Sequence, residues 1–231
     1  MRYIAPFTLL FILISNFCYG QTARSIRVKA GEDVAQAYSP QGFYRFPQFG
    51  KATLHFRSGI RSSSVLFNYN MLSGALQFIS PKGDTLDLAN AADLDSVAFE
   101  KTTFIFNNGF FEIVSQSDSI RLLKKVVLSS QYEDIGAYGR PNPTGSITNI
   151  KEISVRGAVY SLIVNQDIVL TEDVTWFLMR APAGMIKANK TNLLKMLPAE
   201  KQGKTETYLK QNKISFQQEN DLKRLFEAIR G

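Results

Sequence analysis

The 231-residue sequence predicts a mainly β (α+β) fold: an antiparallel meander forming a sandwich or partly open barrel, with a C-terminal helical tail. Three observations predict it. From about Lys51 to Ser129, apolar and polar residues alternate in short runs separated by turn-forming residues, the period of half-buried strands. Most of the 17 phenylalanines fall in strand-like runs, where core packing is their ordinary use and an aromatic-lined ligand cavity the alternative. After about Lys190 the apolar spacing changes to the helical period.

The elements follow in order. Lys51 to Arg57 reads as a strand ended by Ser58-Gly59, and Val65 to Tyr69 as the next. Leu72-Ser73-Gly74 turns the chain into Ala75 to Ile79, and Ser80-Pro81-Lys82-Gly83-Asp84 is a strong turn by composition. Thr85 to Leu88 is a short strand, Asn90 to Asp95 a polar connection, and Val97 to Phe99 resumes the sheet. Thr103 to Phe106 and Phe110 to Val114 form the clearest hairpin, because Asn107-Asn108-Gly109 readily supplies the positive φ a tight turn needs. Ile120 to Leu128 closes the run, and the short turns favour a meander. Alternation places Val65, Phe67 and Tyr69 on one face, Leu76 with Phe78, and Phe104 with Phe106 opposite Thr103 and Ile105.

Residues Ser130 to Asn149 read as a long loop, broken by Gly136, Gly139, Pro141, Pro143 and Gly145. Strand-like runs return at Lys151 to Val155, Ala158 to Val164, Ile168 to Leu170 and Val174 to Met179, the last holding the only tryptophan, Trp176. Three helices follow. Lys190 to Leu197 is stopped by Pro198, and Thr205 to Asn212 has Thr205 as a plausible cap. In the last, Ser215 and Gln218 resemble a capping box, and Leu222, Leu225, Phe226 and Ile229 recur at helical spacing. The chain thus divides into a leader (1–20), a β-rich domain (21–180) and a basic helical segment packed on it (181–231).

The net charge of +7 is concentrated. Seven lysines lie between Lys187 and Lys213, against Glu200 and Glu206. Lys201, Lys204, Lys210 and Lys213 are the candidate contacts to an anionic surface; the plainer alternative is a solvated helical face that keeps the protein soluble. A membrane-surface helix is the sharper alternative to a stripe packed on the sheet.

The leader explains where such a charge would act. Arg2, an apolar run from Ile4 to Phe17 and the exit Cys18-Tyr19-Gly20 have the layout of a secretory signal peptide, with cleavage expected before Gln21. The run is short for a membrane anchor, so no transmembrane segment is expected after cleavage. The expected destination is the periplasm or the exterior. The alternative is a lipoprotein acylated at Cys18, disfavoured by the bulk of Phe17. Export makes nucleic acid the poorest partner and leaves an envelope protein, a glycan or a lipid.

Cleavage also removes the only cysteine and leaves one histidine, His55. Disulfides, cysteine nucleophiles, thiolate metal sites and multi-histidine zinc sites are then ruled out. His55 reads as a partly exposed strand residue sharing a face with Thr53 and Arg57. No nucleophile elbow, phosphate loop or dinucleotide-binding glycine pattern appears, and no cofactor is expected. Asp84/Asp87 and Asp93/Asp95 are the nearest carboxylate pairs, but turns explain aspartates more simply. No catalytic or metal-binding residue is nominated, and an enzyme is the less favoured class.

Several segments together resemble a group of exported Bacteroidetes proteins to which no activity is assigned. They are the Gln21 start, Val65-Leu66-Phe67-Asn68-Tyr69-Asn70, Phe110-Phe111-Glu112-Ile113-Val114 before Leu122-Leu123-Lys124-Lys125, Ala137-Tyr138-Gly139, and most specifically Tyr208-Leu209-Lys210-Gln211-Asn212-Lys213-Ile214-Ser215-Phe216. The resemblance implies export and one shared architecture. The function expected is a non-enzymatic envelope or secreted protein with a binding or structural role. The alternatives are a carrier of an apolar ligand in a curved sheet and a carboxylate-based carbohydrate-active enzyme.

Overall fold

The computed structural model describes residues 25–38, 42–89, 91–99, 101–117, 120–132, 134–135, 141–142, 164, 166–181 and 183–230. The expected leader, with its alternative acylation site Cys18, lies outside them, as do the strands expected at 151–155 and, except for Val164, at 158–164.

The described strands are β1 (Ser25–Val28), β2 (Gly50–Phe56), β3 (Arg61–Asn70), β4 (Ala75–Ile79), β5 (Thr85–Asp87), β6 (Leu94–Phe99), β7 (Thr102–Phe106), β8 (Phe110–Ser117), β9 (Ile120–Tyr132), β10 (Asp134–Ile135), β11 (Pro141–Asn142), β12 (Ile168–Arg180) and β13 (Gly184–Lys187). The helices are α1 (Val34–Tyr38), α2 (Lys190–Met196), α3 (Ala199–Asn212) and α4 (Glu219–Arg230). The mainly β fold with C-terminal helices is therefore found as expected. The runs at Ile168 and Val174 are one strand, β12, because its whole length pairs with β9, from Ile168 opposite Tyr132 to Arg180 opposite Ile120. The long loop is less irregular than its composition suggests: β10 pairs with β11 inside it. β1 and α1 carry too short a periodic pattern to be read from sequence.

Eleven strands make one antiparallel sheet in the order β1-β12-β9-β8-β7-β6-β2-β3-β4-β5, with β13 also on β12. It is not a single meander. Two meanders, β2 to β5 and β6 to β9, are joined where β6 crosses back to pair with β2. A single 3-10 turn at Ala91–Asp93 leads into β6. At the β7–β8 turn, Asn108 has φ 50° and Gly109 φ 138°, and Phe106 faces Phe110 across it.

Of the two forms expected, the open one occurs: a continuous sheet that curls without closing into a barrel. Its inner face carries the main core, with Phe67, Tyr69, Leu76, Val97, Phe99, Phe104, Phe110, Val126, Leu128 and Leu170 all buried. Phe46 stacks on Phe99 at 4.6 Å, Tyr69 on Phe104 at 5.4 Å, and Phe106 meets Phe110 edge-on at 5.1 Å. Each such ring contributes about 1.5–3 kcal/mol through burial, so the aromatics hold the curl. Two polar links tie β9 to β3 and the turn that follows it across the curl. Leu128 N–H donates to the Met71 carbonyl at 2.9 Å, and Tyr69 Oη to the Val126 carbonyl at 2.9 Å.

The long strand β9 serves two cores with one face. Val126 and Leu128 belong to the main core, whereas Ile120 and Leu122 lie under the helices with Trp176 and Leu178 of β12. A β-bulge in β8 between Ile113 and Ser115 breaks strict alternation there, and Val114 packs against the helical core. The opposite face holds a smaller cluster of Ile105, Phe111 and Leu123.

Candidate binding surface

The helical layer is seated by α4. Leu222, Leu225, Phe226 and Ile229, the stripe read from the sequence, are all buried against β9 and β12. The start of α4 differs from the expected capping box. The helix begins at Glu219, and Asp221 reaches back to accept the Ser215 N–H at 2.9 Å. That bond, with further help from Arg224, holds the Asp221 carboxyl below its ordinary value. α2 has its cap at Asn189, which accepts the Asn192 N–H at 2.8 Å. α3 starts six residues earlier than expected, behind Pro198, which leaves Thr205 buried inside the helix instead of capping it. The missed signal was Pro198 itself: a proline that stops one helix also suits the first turn of the next.

A charged contact locks α4 to the sheet. Lys124 of β9 bonds Glu219 at 2.7 Å and lies 5.5 Å from the centre of the Trp176 ring. Burial alone would raise the Glu219 carboxyl, but the bonds from Lys124 and Lys223 outweigh it and hold it below its usual value. Among the described residues the buried Trp176 indole N–H has no hydrogen-bond partner, and the Lys124 ammonium lies over the ring.

The four candidate lysines do not form one patch. At 3.6 residues per turn, Lys201 and Lys204 lie on one side of α3 with Tyr208, and Lys210 and Lys213 on the other with Glu206. Lys210 pairs with Glu206 at 3.3 Å, and Lys190 approaches the same carboxylate at 3.8 Å. Lys213 ends α3 in the left-handed conformation at φ 46°. Lys201 donates to the Ile229 carbonyl at 3.0 Å, satisfying the carbonyl end of α4. Lys204 is exposed and makes no ion pair among the described residues.

The Lys201–Lys204 side borders a cleft of about 270 Å³ between α3 and the end of α4. Tyr208, Ala228 and Ile229 supply its apolar wall, and Glu200, Lys201 and Lys204 its polar rim. A shallow extension follows α3 past Tyr208 to Gln211. Comparisons of the chain with protein-family models, with curated proteins and with solved structures find no match. The reading of the surface therefore rests on its chemistry.

The other sequence-nominated groups are dispersed. Asp87 accepts from Gln77 at 2.7 Å, within a network that also joins Tyr44 and Asn70 to Gln77. Asp84 lies in the turn of Ser80, Asp93 gives its carbonyl to the Arg57 N–H, and Asp95 forms the bulge between β6 and β2. Among the described residues no three His, Cys, Asp or Glu side chains gather as metal ligands. No described helix is long and apolar enough to cross a membrane. His55, half-buried on β2, stands opposite Arg61 of β3.

Proposed function

We propose that this is an exported, non-catalytic binding protein of the envelope, and that the α3–α4 cleft engages anionic lipid. The observation that carries the reading is the pairing of an apolar wall with a rim of two lysines and one glutamate, Glu200. An acyl chain suits Tyr208, Ala228 and Ile229, and an anionic headgroup suits Lys204 beside Lys201. The leader pattern of Met1 to Gly20 supports the envelope as the setting. A carrier role inside the curved sheet has less support, because stacked rings such as Phe46 on Phe99 occupy that interior. A carbohydrate-active enzyme has less still, since the nominated aspartates are engaged in separate turns and bulges.

Vesicle co-sedimentation tests the reading. Vesicles containing phosphatidylglycerol retain the protein, and neutral phosphatidylcholine vesicles do not. Each lysine near such a surface contributes about 1 kcal/mol, so Lys204→Glu weakens retention at least about fivefold. The joint reversal of Lys201 and Lys204 weakens it further, and reversal of Lys210 on the opposite side of α3 does not. Equal retention of the variants by anionic vesicles overturns the proposal.

A further inference from the structure

We infer that the concavity at the β2–β3 turn is a binding site for a tetrahedral oxyanion, the phosphate or sulfate group of an ester. The site is about 440 Å³ and is lined by His55, Phe56, Arg57, Ile60, Arg61 and Asp95. Three cationic or ionisable nitrogen side chains thus converge on one hollow. His55 and Arg61 are opposite each other across the β2–β3 ladder and so project from the same face.

The turn that presents them is fixed. Phe56 N–H donates to the Ile60 carbonyl and Gly59 N–H to the Phe56 carbonyl, both at 2.9 Å. Gly59 takes φ +84°, which a side chain would strain. Arg57 is braced as well: its Nε donates to the Leu94 carbonyl at 3.2 Å and its backbone N–H to Asp93. That bond orients the guanidinium while leaving its outer nitrogens available, the geometry that takes two oxygens of one anion.

Two arginines face a single carboxylate in the hollow, that of Asp95. Asp95 shares the hollow, yet it forms no ion pair with Arg57 or Arg61 and accepts instead from Ser96 at 3.4 Å. Arg61 has no hydrogen-bond or ion-pair partner among the described residues. Two arginines held together by rigid backbone repel one another, and a bound dianion would relieve that repulsion. Ile60, 64% exposed, stands at the rim and offers an apolar contact for the organic part of an ester.

His55 is the only histidine, so its ring signals in a proton–carbon NMR spectrum report this site without assignment work. Titration of the full chain with inorganic phosphate, and separately with sulfate, is expected to give a saturating shift of those signals. Arg57→Gln and Arg61→Gln each weaken the apparent affinity at least about tenfold, while Lys82→Gln in the β4–β5 turn leaves it unchanged. The unperturbed remainder of each spectrum shows that the variants are folded. Two further ligands distinguish the sources of the oxyanion. If it belongs to a lipid, monomeric dihexanoyl phosphatidylglycerol binds at least about tenfold more tightly than glycerol phosphate, and Ile60→Ser removes the difference. If it belongs to a soluble ester, the two bind alike. Non-saturating shifts, or shifts that are the same in the arginine variants, overturn the site.

Discussion

Tyr69 of β3 donates its hydroxyl proton to the backbone carbonyl of Val126 in β9 at 2.9 Å, across four intervening strands in the sheet order. The bond shows how far the sheet curls. Tyr69 is buried, its ring lies on Phe104, and its hydroxyl is pushed above the ordinary tyrosine value by burial and then by Glu112. Tyr69→Phe leaves a carbonyl facing an apolar ring edge and should cost about 1–3 kcal/mol in urea unfolding. The pH dependence has a definite sign. Because the folded value lies above 10.0, the contribution is complete below pH 10.0 and is lost as pH rises beyond it. Alkaline destabilisation should therefore be smaller in Tyr69→Phe than in the parent, measured by unfolding across that range.

Asn68 holds the entry to β2. Its Nδ2 donates to the Phe46 carbonyl at 2.9 Å, and its Oδ1 accepts the Phe46 N–H at 3.2 Å. The side chain thereby imitates a strand partner where the backbone has left the ladder, between the bridge Tyr44–Asn70 and the β2 start at Gly50. Asn68→Ala should destabilise by about 2–4 kcal/mol, since the half-buried N–H and carbonyl of Phe46 and the buried Tyr69 N–H lose their partner. Asn68→Asp buries a carboxylate with one oxygen against the Phe46 carbonyl and should cost at least as much as Asn68→Ala in a denaturant titration.

Glu219 gives the helical layer its acid sensitivity. With its carboxyl held below 4.5, its stabilising contribution is present above that pH and is lost as pH falls through the lower folded value. Asp221 adds to the same trend from an ordinary value of 3.8. Glu219→Gln should cost about 1.5–3 kcal/mol at neutral pH and flatten the acid limb of the stability curve. The fluorescence of Trp176, the sole tryptophan, reads both effects because Lys124 touches its ring and the carboxylate together.

Lys213 adopts φ 46° at the end of α3, a conformation that costs a residue with a side chain about 1–2 kcal/mol relative to glycine. Lys213→Gly is expected to raise the midpoint of thermal unfolding slightly, the relief being offset by the greater freedom of glycine in the unfolded chain. It should leave vesicle retention unaltered, since Lys213 lies across α3 from Lys204.

The strand faces and the α4 stripe were legible because both are local. Phe67 and Tyr69 alternate with Leu66 and Asn68 over a few residues, and Leu222, Leu225, Phe226 and Ile229 repeat within one helix. Less legible were features that depend on a distant partner. Asn68 and Gln77 look like outward-facing polar residues, yet both are buried, the first by Phe46 and the second by Tyr44, Asn70 and Asp87. The lysines between 201 and 213 look like one charged run, but the turn of the helix sends them to opposite sides. The concavity at His55 was invisible because only pairing brings Arg61 and Asp95 beside it.

The sequence by itself determined the strand runs from β2 to β9, the stripe of α4 and their apolar faces, since period and turn chemistry act over a few residues. Tertiary structure decided the rest: that β6 returns to β2, that the sheet curls until Tyr69 meets Val126, and that one lysine seals α4 while another borders a cleft. Those outcomes depend on pairing and packing between segments tens of residues apart. Local pattern limits such contacts but does not select among them.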